Sequence, residues 1–132
     1  MTSNTSQQVP PGFENELNNI AIDFDGVIHN FDKGWHDGTC YGEPIPGALE
    51  AIKNLSQNYK IIIFTAKAKP NRPLVQGKTG LTLVEEWLKK HDIFKYVSEI
   101  TSEKPRAQIY IDDRGYRFIN WEKTFHDIKR LI

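Results

Sequence analysis

Ile20-Ala21-Ile22-Asp23-Phe24-Asp25-Gly26-Val27 sets a short apolar run directly before two aspartates and a glycine. A run of this kind, closed by turn residues, reads as a strand covered on both faces. Side chains alternate along an extended chain, so Asp23 and Asp25 share one side while Phe24 points to the other. Gly26 then lets the backbone turn sharply away. Three further strands are expected, at Ile61-Ile62-Ile63-Phe64, more weakly around Tyr96-Val97-Ser98-Glu99-Ile100, and at Ile109-Tyr110-Ile111. Helical spacing recurs in three sets. Ala48, Ile52, Leu55 and Tyr59 form the first, entered through Pro46-Gly47. Leu83, Val84, Trp87, Leu88 and His91 form the second, and Trp121, Phe125, Ile128 and Ile132 the third. Strands alternating with such helices predict a three-layer α/β fold with a mainly parallel sheet.

The 132 residues suit one domain, and a chain of this size buries about two-thirds of its surface on folding. Residues 1–18 are dominated by Ser, Thr, Asn, Gln, Pro and Gly and are expected to form a flexible tail, leaving 19–132 as the folded domain. Seventeen Lys+Arg against 17 Asp+Glu give a formal charge of +0. That balance argues against a strong overall field for nucleic acid and leaves a local basic patch open. The single cysteine, Cys40, excludes an internal disulfide framework and suits a reducing, cytoplasmic setting. No apolar run approaches the roughly 18 residues of a membrane helix. The first residues lack the basic start and apolar stretch of a secretory signal.

Parallel sheets bind ligands beyond the carboxyl ends of their strands. The first strand ends in Asp23 and Asp25, the second in Thr65, and the last in Asp112-Asp113, with Lys104-Pro105 just before it. Four carboxylates on one rim repel one another unless a cation intervenes. An oxygen-rich set of this kind suits Mg²⁺. Paired carboxylates also suit attack on phosphorus, one forming an acyl-phosphate while the other moves a proton. Thr65 and Lys104 would answer the negative phosphoryl oxygens.

These four motifs, in this order across residues 20–113, resemble those of the haloacid dehalogenase-like (HAD) superfamily, whose core is Rossmann-like. The resemblance implies that Asp23 is the nucleophile and, with the Asp25 main-chain carbonyl, a Mg²⁺ ligand. It makes the Asp25 side chain the general acid and then the base. Thr65 and Lys104 would hold the phosphoryl group, Asp113 would contact the metal, and Asp112 would orient a metal water or Lys104. The Ile-Asp-Asp-Arg run and the Asp-Gly-Val form of the first motif are also similar to 5′(3′)-deoxyribonucleotidases and phage-like relatives. The implied activity is a Mg²⁺-dependent phosphatase acting on a phosphorylated small metabolite or a nucleotide. A polynucleotide-end phosphatase or a phosphotransferase is the alternative, and a non-catalytic Mg²⁺-binding interaction domain the least favoured. A receiver-like signalling module is disfavoured by motif order, because here the acidic pair comes last.

The superfamily places cap domains after its first motif or between the second and third. Residues 27–46, with Phe31, Trp35, His36, Tyr41 and three glycines, read instead as a hairpin-like flap, and 66–103 are filled by a loop, a helix and a strand. The chain therefore resembles the capless class, with a site open to bulky substrates or to closure by a partner subunit in a homo-oligomer. Trp35, His36 and Tyr41 could stack on a base or equally pack within the flap. Lys67, Lys69, Arg72 and Lys78 could read a second phosphate or a nucleic-acid backbone, although a solvated basic loop is favoured. His29, His91 and His126 lack metal-ligand spacing and are expected to be structural or superficial. Residues 101–107 are short for a parallel crossover, so either the third strand is misplaced or an abbreviated connection crosses the sheet. No fifth strand is expected.

Overall fold

The computed structural model describes residues 18–112, 116–117 and 120–131. It comprises β1 (Asn19–Asp23), α1 (Ala48–Leu55), β2 (Lys60–Phe64), α2 (Gly80–Lys90), β3 (Glu99–Thr101), β4 (Ile109–Asp112), β5 (Tyr116–Arg117) and α3 (Trp121–Leu131). The sheet order is β3-β2-β1-β4-β5, and every neighbouring pair is parallel. The protein is thus α/β, with a parallel sheet and three helices compatible with a Rossmann-like fold. Among the described residues no helix is long and apolar enough to cross a membrane. Apart from Asn18, the expected tail lies outside the described residues, as do Asp113 and Arg114.

Register explains the core. Ile20 pairs with Ile61 and Ile109, and Ile22 with Ile63 and Ile111, so these side chains share one face of the sheet. That face packs with Ala48, Ala51, Ile52 and Leu55 of α1, Val84, Trp87 and Leu88 of α2, and Trp121 and Ile128 of α3 in one buried cluster. Each helix contributes the apolar stripe that its spacing predicted. Trp121 also donates its indole N–H to the Val27 carbonyl at 2.9 Å, tying α3 to the turn after β1.

The opposite face carries Ala21, Ile62, Phe64 and Tyr110. Residues 102–108 cross it without forming a helix. The Lys104 ammonium lies 4.6 Å from the Tyr110 ring centroid, the Ala107 N–H donates to the Tyr110 hydroxyl at 3.1 Å, and the Gln108 N–H donates to the Asn19 carbonyl at 2.9 Å. This is the abbreviated connection from edge strand β3 to β4. An extended chain of this length reaches roughly 23 Å, more than the roughly 14 Å of three strand spacings.

Two expectations need correction. The third strand starts later than expected, at Glu99, because Phe94–Tyr96 close a 3₁₀ turn. A fifth strand does exist: Tyr116–Arg117 pair with Ile111 and Asp112. Two residues are too few for either an apolar run or an alternation to announce them.

Candidate active site

Asp23 closes β1 and accepts the main-chain N–H of Phe24 at 2.8 Å through Oδ1. The chain then turns through Gly26, whose φ of 85° is a left-handed value that favours glycine. The Phe24 carbonyl gathers the N–H groups of Val27, Ile28 and His29 at 3.3, 2.9 and 3.0 Å, which pins the turn. Beyond it, residues 28–30 pair back with 43–45: Asn30 N–H donates to the Glu43 carbonyl and Ile45 N–H to that of Ile28. The expected flap is therefore a closed hairpin, and Asp25 lies just before it in the turn.

Both oxygens of Asp25 are engaged. Oδ2 accepts the Lys67 ammonium at 2.8 Å, and Oδ1 lies 2.9 Å from His29 Nδ1. His29 Nε2 accepts the Gly42 N–H at 2.9 Å, so that nitrogen carries no proton and the ring proton sits on Nδ1, donated to Asp25. Phe24 stacks parallel to the His29 ring at 5.1 Å, while Trp87 and Tyr41 meet it edge-on at 5.4 and 5.2 Å. Sequence reasoning gave His29 a structural or superficial role. It is structural, fully buried, and a direct partner of Asp25.

Lys67 departs from the solvated basic loop expected for its neighbourhood, being 1% exposed. Thr65 directly follows β2 and its hydroxyl accepts the Lys67 N–H at 3.2 Å, capping the 3₁₀ turn Ala66–Ala68. This turn swings Lys67 back toward Asp25, where its ammonium also lies 4.7 Å from the Phe31 ring and 4.5 Å from the Trp35 ring. Gly80, the first residue of α2, sits so close that a Cβ there would lie 1.7 Å from the Lys67 carbonyl oxygen. Lys69 and His36 stay exposed, and His36 packs edge-on against Tyr41 at 5.7 Å. Lys78 pairs with Glu86 at 2.8 Å, away from Asp25's two partners.

Asp112 ends β4 beside β1, buried, and pairs with Lys104 at 3.3 Å. Asp23, Thr65 and Asp112 thus stand at the carboxyl ends of three adjacent strands, β1, β2 and β4, with Asp25 in the turn and Lys104 against Asp112. Among the described residues no group of three or more His, Cys, Asp or Glu side chains is placed to hold a metal ion by itself. Cys40 lies within the field of Asp25 and Lys67; burial, the larger cause, pushes its thiol up to about 12 and leaves it protonated at neutral pH. No family model matches the chain, and neither a curated protein nor a solved structure matches it, so what the site does is argued from its own geometry.

Proposed function

We propose that the protein is a capless HAD-like phosphomonoesterase that uses Mg²⁺ and passes through an aspartyl-phosphate on Asp23. The observation that carries this reading is the placement of Asp23, Thr65 and Asp112 at three adjacent strand ends, with Lys104 paired to Asp112. The described parts of residues 27–46 and 66–103 hold a hairpin, two 3₁₀ turns, one helix and one strand, which supports the capless assignment. In this reading the extended 102–108 segment stands for the helical third layer on that face. A cytoplasmic setting goes with it.

The donor set fits Mg²⁺. The Asp23 and Asp112 carboxylates and the Asp25 main-chain carbonyl are hard oxygens, and Mg²⁺ takes few carboxylates together with water and substrate phosphate. The expected ligand Asp113 lies outside the described residues. Bound there, the ion would neutralise the carboxylates and the phosphoryl oxygens.

The Asp23 carboxylate attacks phosphorus, forming one P–O bond while the P–O bond to the alcohol breaks. Thr65 and Lys104 hold the phosphoryl oxygens. Asp25 gives its proton to the departing alkoxide and then takes one from the water that releases phosphate from Asp23. Both Asp25 oxygens accept hydrogen bonds, which suits the base step. To act as an acid Asp25 must take up a proton while one donor turns aside. His29 is tied through both ring nitrogens, to Asp25 and to the Gly42 N–H, whereas the Lys67 ammonium has Asp25 as its one hydrogen-bond partner among the described residues. Lys67, drawn to the incoming phosphoryl dianion, is therefore the partner that moves.

The test is Mg²⁺-dependent hydrolysis of p-nitrophenyl phosphate, followed by a panel of phosphorylated metabolites and nucleotides. Asp23→Asn should abolish turnover, a loss of at least 10³-fold on the order expected for a removed nucleophile, with the circular dichroism spectrum unchanged. Retained activity in Asp23→Asn sinks the mechanism.

A further inference from the structure

Beside Lys67, a cavity of about 270 Å³ is lined by Trp35, Gly38, Lys67, Arg72, Val75 and Gly80 among others. Arg72 is exposed but tethered. Its Nε donates to the Ala66 carbonyl at 2.9 Å and its guanidinium lies 4.6 Å from the Trp35 ring centroid. Lys67 and Lys78, in the same segment, each have a carboxylate partner, whereas the exposed Lys69 has none among the described residues. Arg72 pairs with none among the described residues, which leaves its terminal nitrogens as preorganised donors at the cavity wall. The wall continues into Gly80, where α2 begins. A helix start carries partial positive charge, and the first turn of α2 has no acidic residue to offset it. The Thr79 hydroxyl already accepts the Thr82 N–H at 3.1 Å, so it is chiefly the unpaired guanidinium that favours an anion, with the remaining helix-start charge adding to it.

The cavity's other wall is Lys67, whose ammonium touches Asp25. In the reaction above, the alcohol leaves on the side of Asp25, which does not itself line the cavity but is joined to it through Lys67. We propose that the cavity receives the leaving alcohol, and that the preferred substrates are phosphomonoesters whose compact alcohol carries a second anionic group bound by Arg72. This rests on the phosphomonoesterase reading and narrows it. An apolar cavity of roughly 150 Å³ accepts a benzene ring, so about 270 Å³ takes a six-membered ring with one anionic substituent.

The experiment compares kcat/KM for phenyl phosphate, 4-carboxyphenyl phosphate and the 1,4-phenylene bisphosphate, the last two separating a carboxylate from a phosphate as the second anion. A charged hydrogen bond to Arg72 should favour one or both anionic esters over phenyl phosphate by roughly 10–100-fold, chiefly through KM. Arg72→Gln should shrink that ratio to about threefold or less, and Arg72→Lys should restore part of it. Comparing the ratio across variants cancels differences in leaving-group acidity. Binding of 4-hydroxybenzoate, followed by amide chemical shifts in residues 72–80, is a readout independent of turnover. Equal kcat/KM for the three esters, or a ratio unmoved in Arg72→Gln, overturns the inference and leaves the phosphomonoesterase reading standing. Hydrolysis of no ester, with 4-hydroxybenzoate binding that Arg72→Gln abolishes, keeps the anion cavity and removes the hydrolase. Neither hydrolysis nor binding overturns both.

Discussion

Replacing Lys67 by methionine keeps most of the stem volume and removes the ammonium that faces Asp25. The contact is 2.8 Å long, with the two side chains 1% and 17% exposed. Deleting one partner of a fully buried pair costs about 3–5 kcal/mol, because the other charge stays behind unpaired. Asp25 keeps a little solvent and the His29 N–H, so the expected loss falls to about 2–3 kcal/mol. Losing the ammonium's contacts with the Phe31 and Trp35 rings adds about 0.5–1 kcal/mol each. Methionine recovers a similar amount by burying no charge. For a domain of this size the net loss corresponds to a fall in Tm of about 10 °C. Urea unfolding of Lys67→Met, Asp25→Ala and the double variant isolates the pair. The coupling energy should be about 1.5–3 kcal/mol. A coupling below about 0.5 kcal/mol would show the pair to be no stronger than a surface contact and refute this account of why Lys67 is buried.

Gly80→Ala places a methyl 1.7 Å from the Lys67 carbonyl oxygen, so one of the two backbones must move. The expected cost is about 2–3 kcal/mol despite alanine's better helix propensity, and a thermal melt equal to wild type contradicts it. Burial raises the Cys40 thiol from its ordinary 9.0 to about 12, so the unfolded chain ionises first as pH rises. Its contribution is complete below about pH 9 and is lost on the way to about 12. Cys40→Ser should therefore flatten the alkaline limb of stability, read by urea midpoints at increasing pH, and an unchanged limb argues against it.

The apolar runs at 20–22, 61–64 and 109–111 were readable as strands because each is buried against helices on one face and crossed by chain or neighbours on the other. Glu99-Ile100-Thr101 was misplaced because an edge strand, paired only with β2, keeps polar residues and borrows its boundary from the 3₁₀ turn before it. The strand ends were legible through Asp23 and Asp112, which close β1 and β4, and Thr65, which directly follows β2, while Lys104 lies in the connection leading to β4. Lys67 and His29 were not legible. A lysine in a loop rich in Lys and Arg looks solvated, and its burial depends on a carboxylate 42 residues upstream. A histidine four residues after Asp25 lies in no helix, so no periodicity links them. The bond exists because Gly26 folds the chain back through its left-handed turn.

That turn also explains why the geometry of Asp25 belongs to folding. Phe24 puts its ring in the core and its carbonyl on three turn amides. The same ring stacks on His29, and Trp87 of α2 meets both Phe24 and His29 edge-on. Trp87 Nε1 donates to the Gly42 carbonyl at 2.8 Å, and Gly42 in turn gives its own N–H to His29 Nε2. A core tryptophan thereby fixes a flap backbone, the flap backbone fixes which nitrogen of His29 holds the proton, and that proton fixes Oδ1 of Asp25. Disturbing any link should be felt at the carboxylate even though Trp87 and Gly42 do not touch it directly. The other oxygen answers to Lys67, reached through a short turn and flanked by an open cavity. One side of Asp25 is set through His29 by core packing, and the other by the buried Lys67 ammonium, the contact that the proposed mechanism would break.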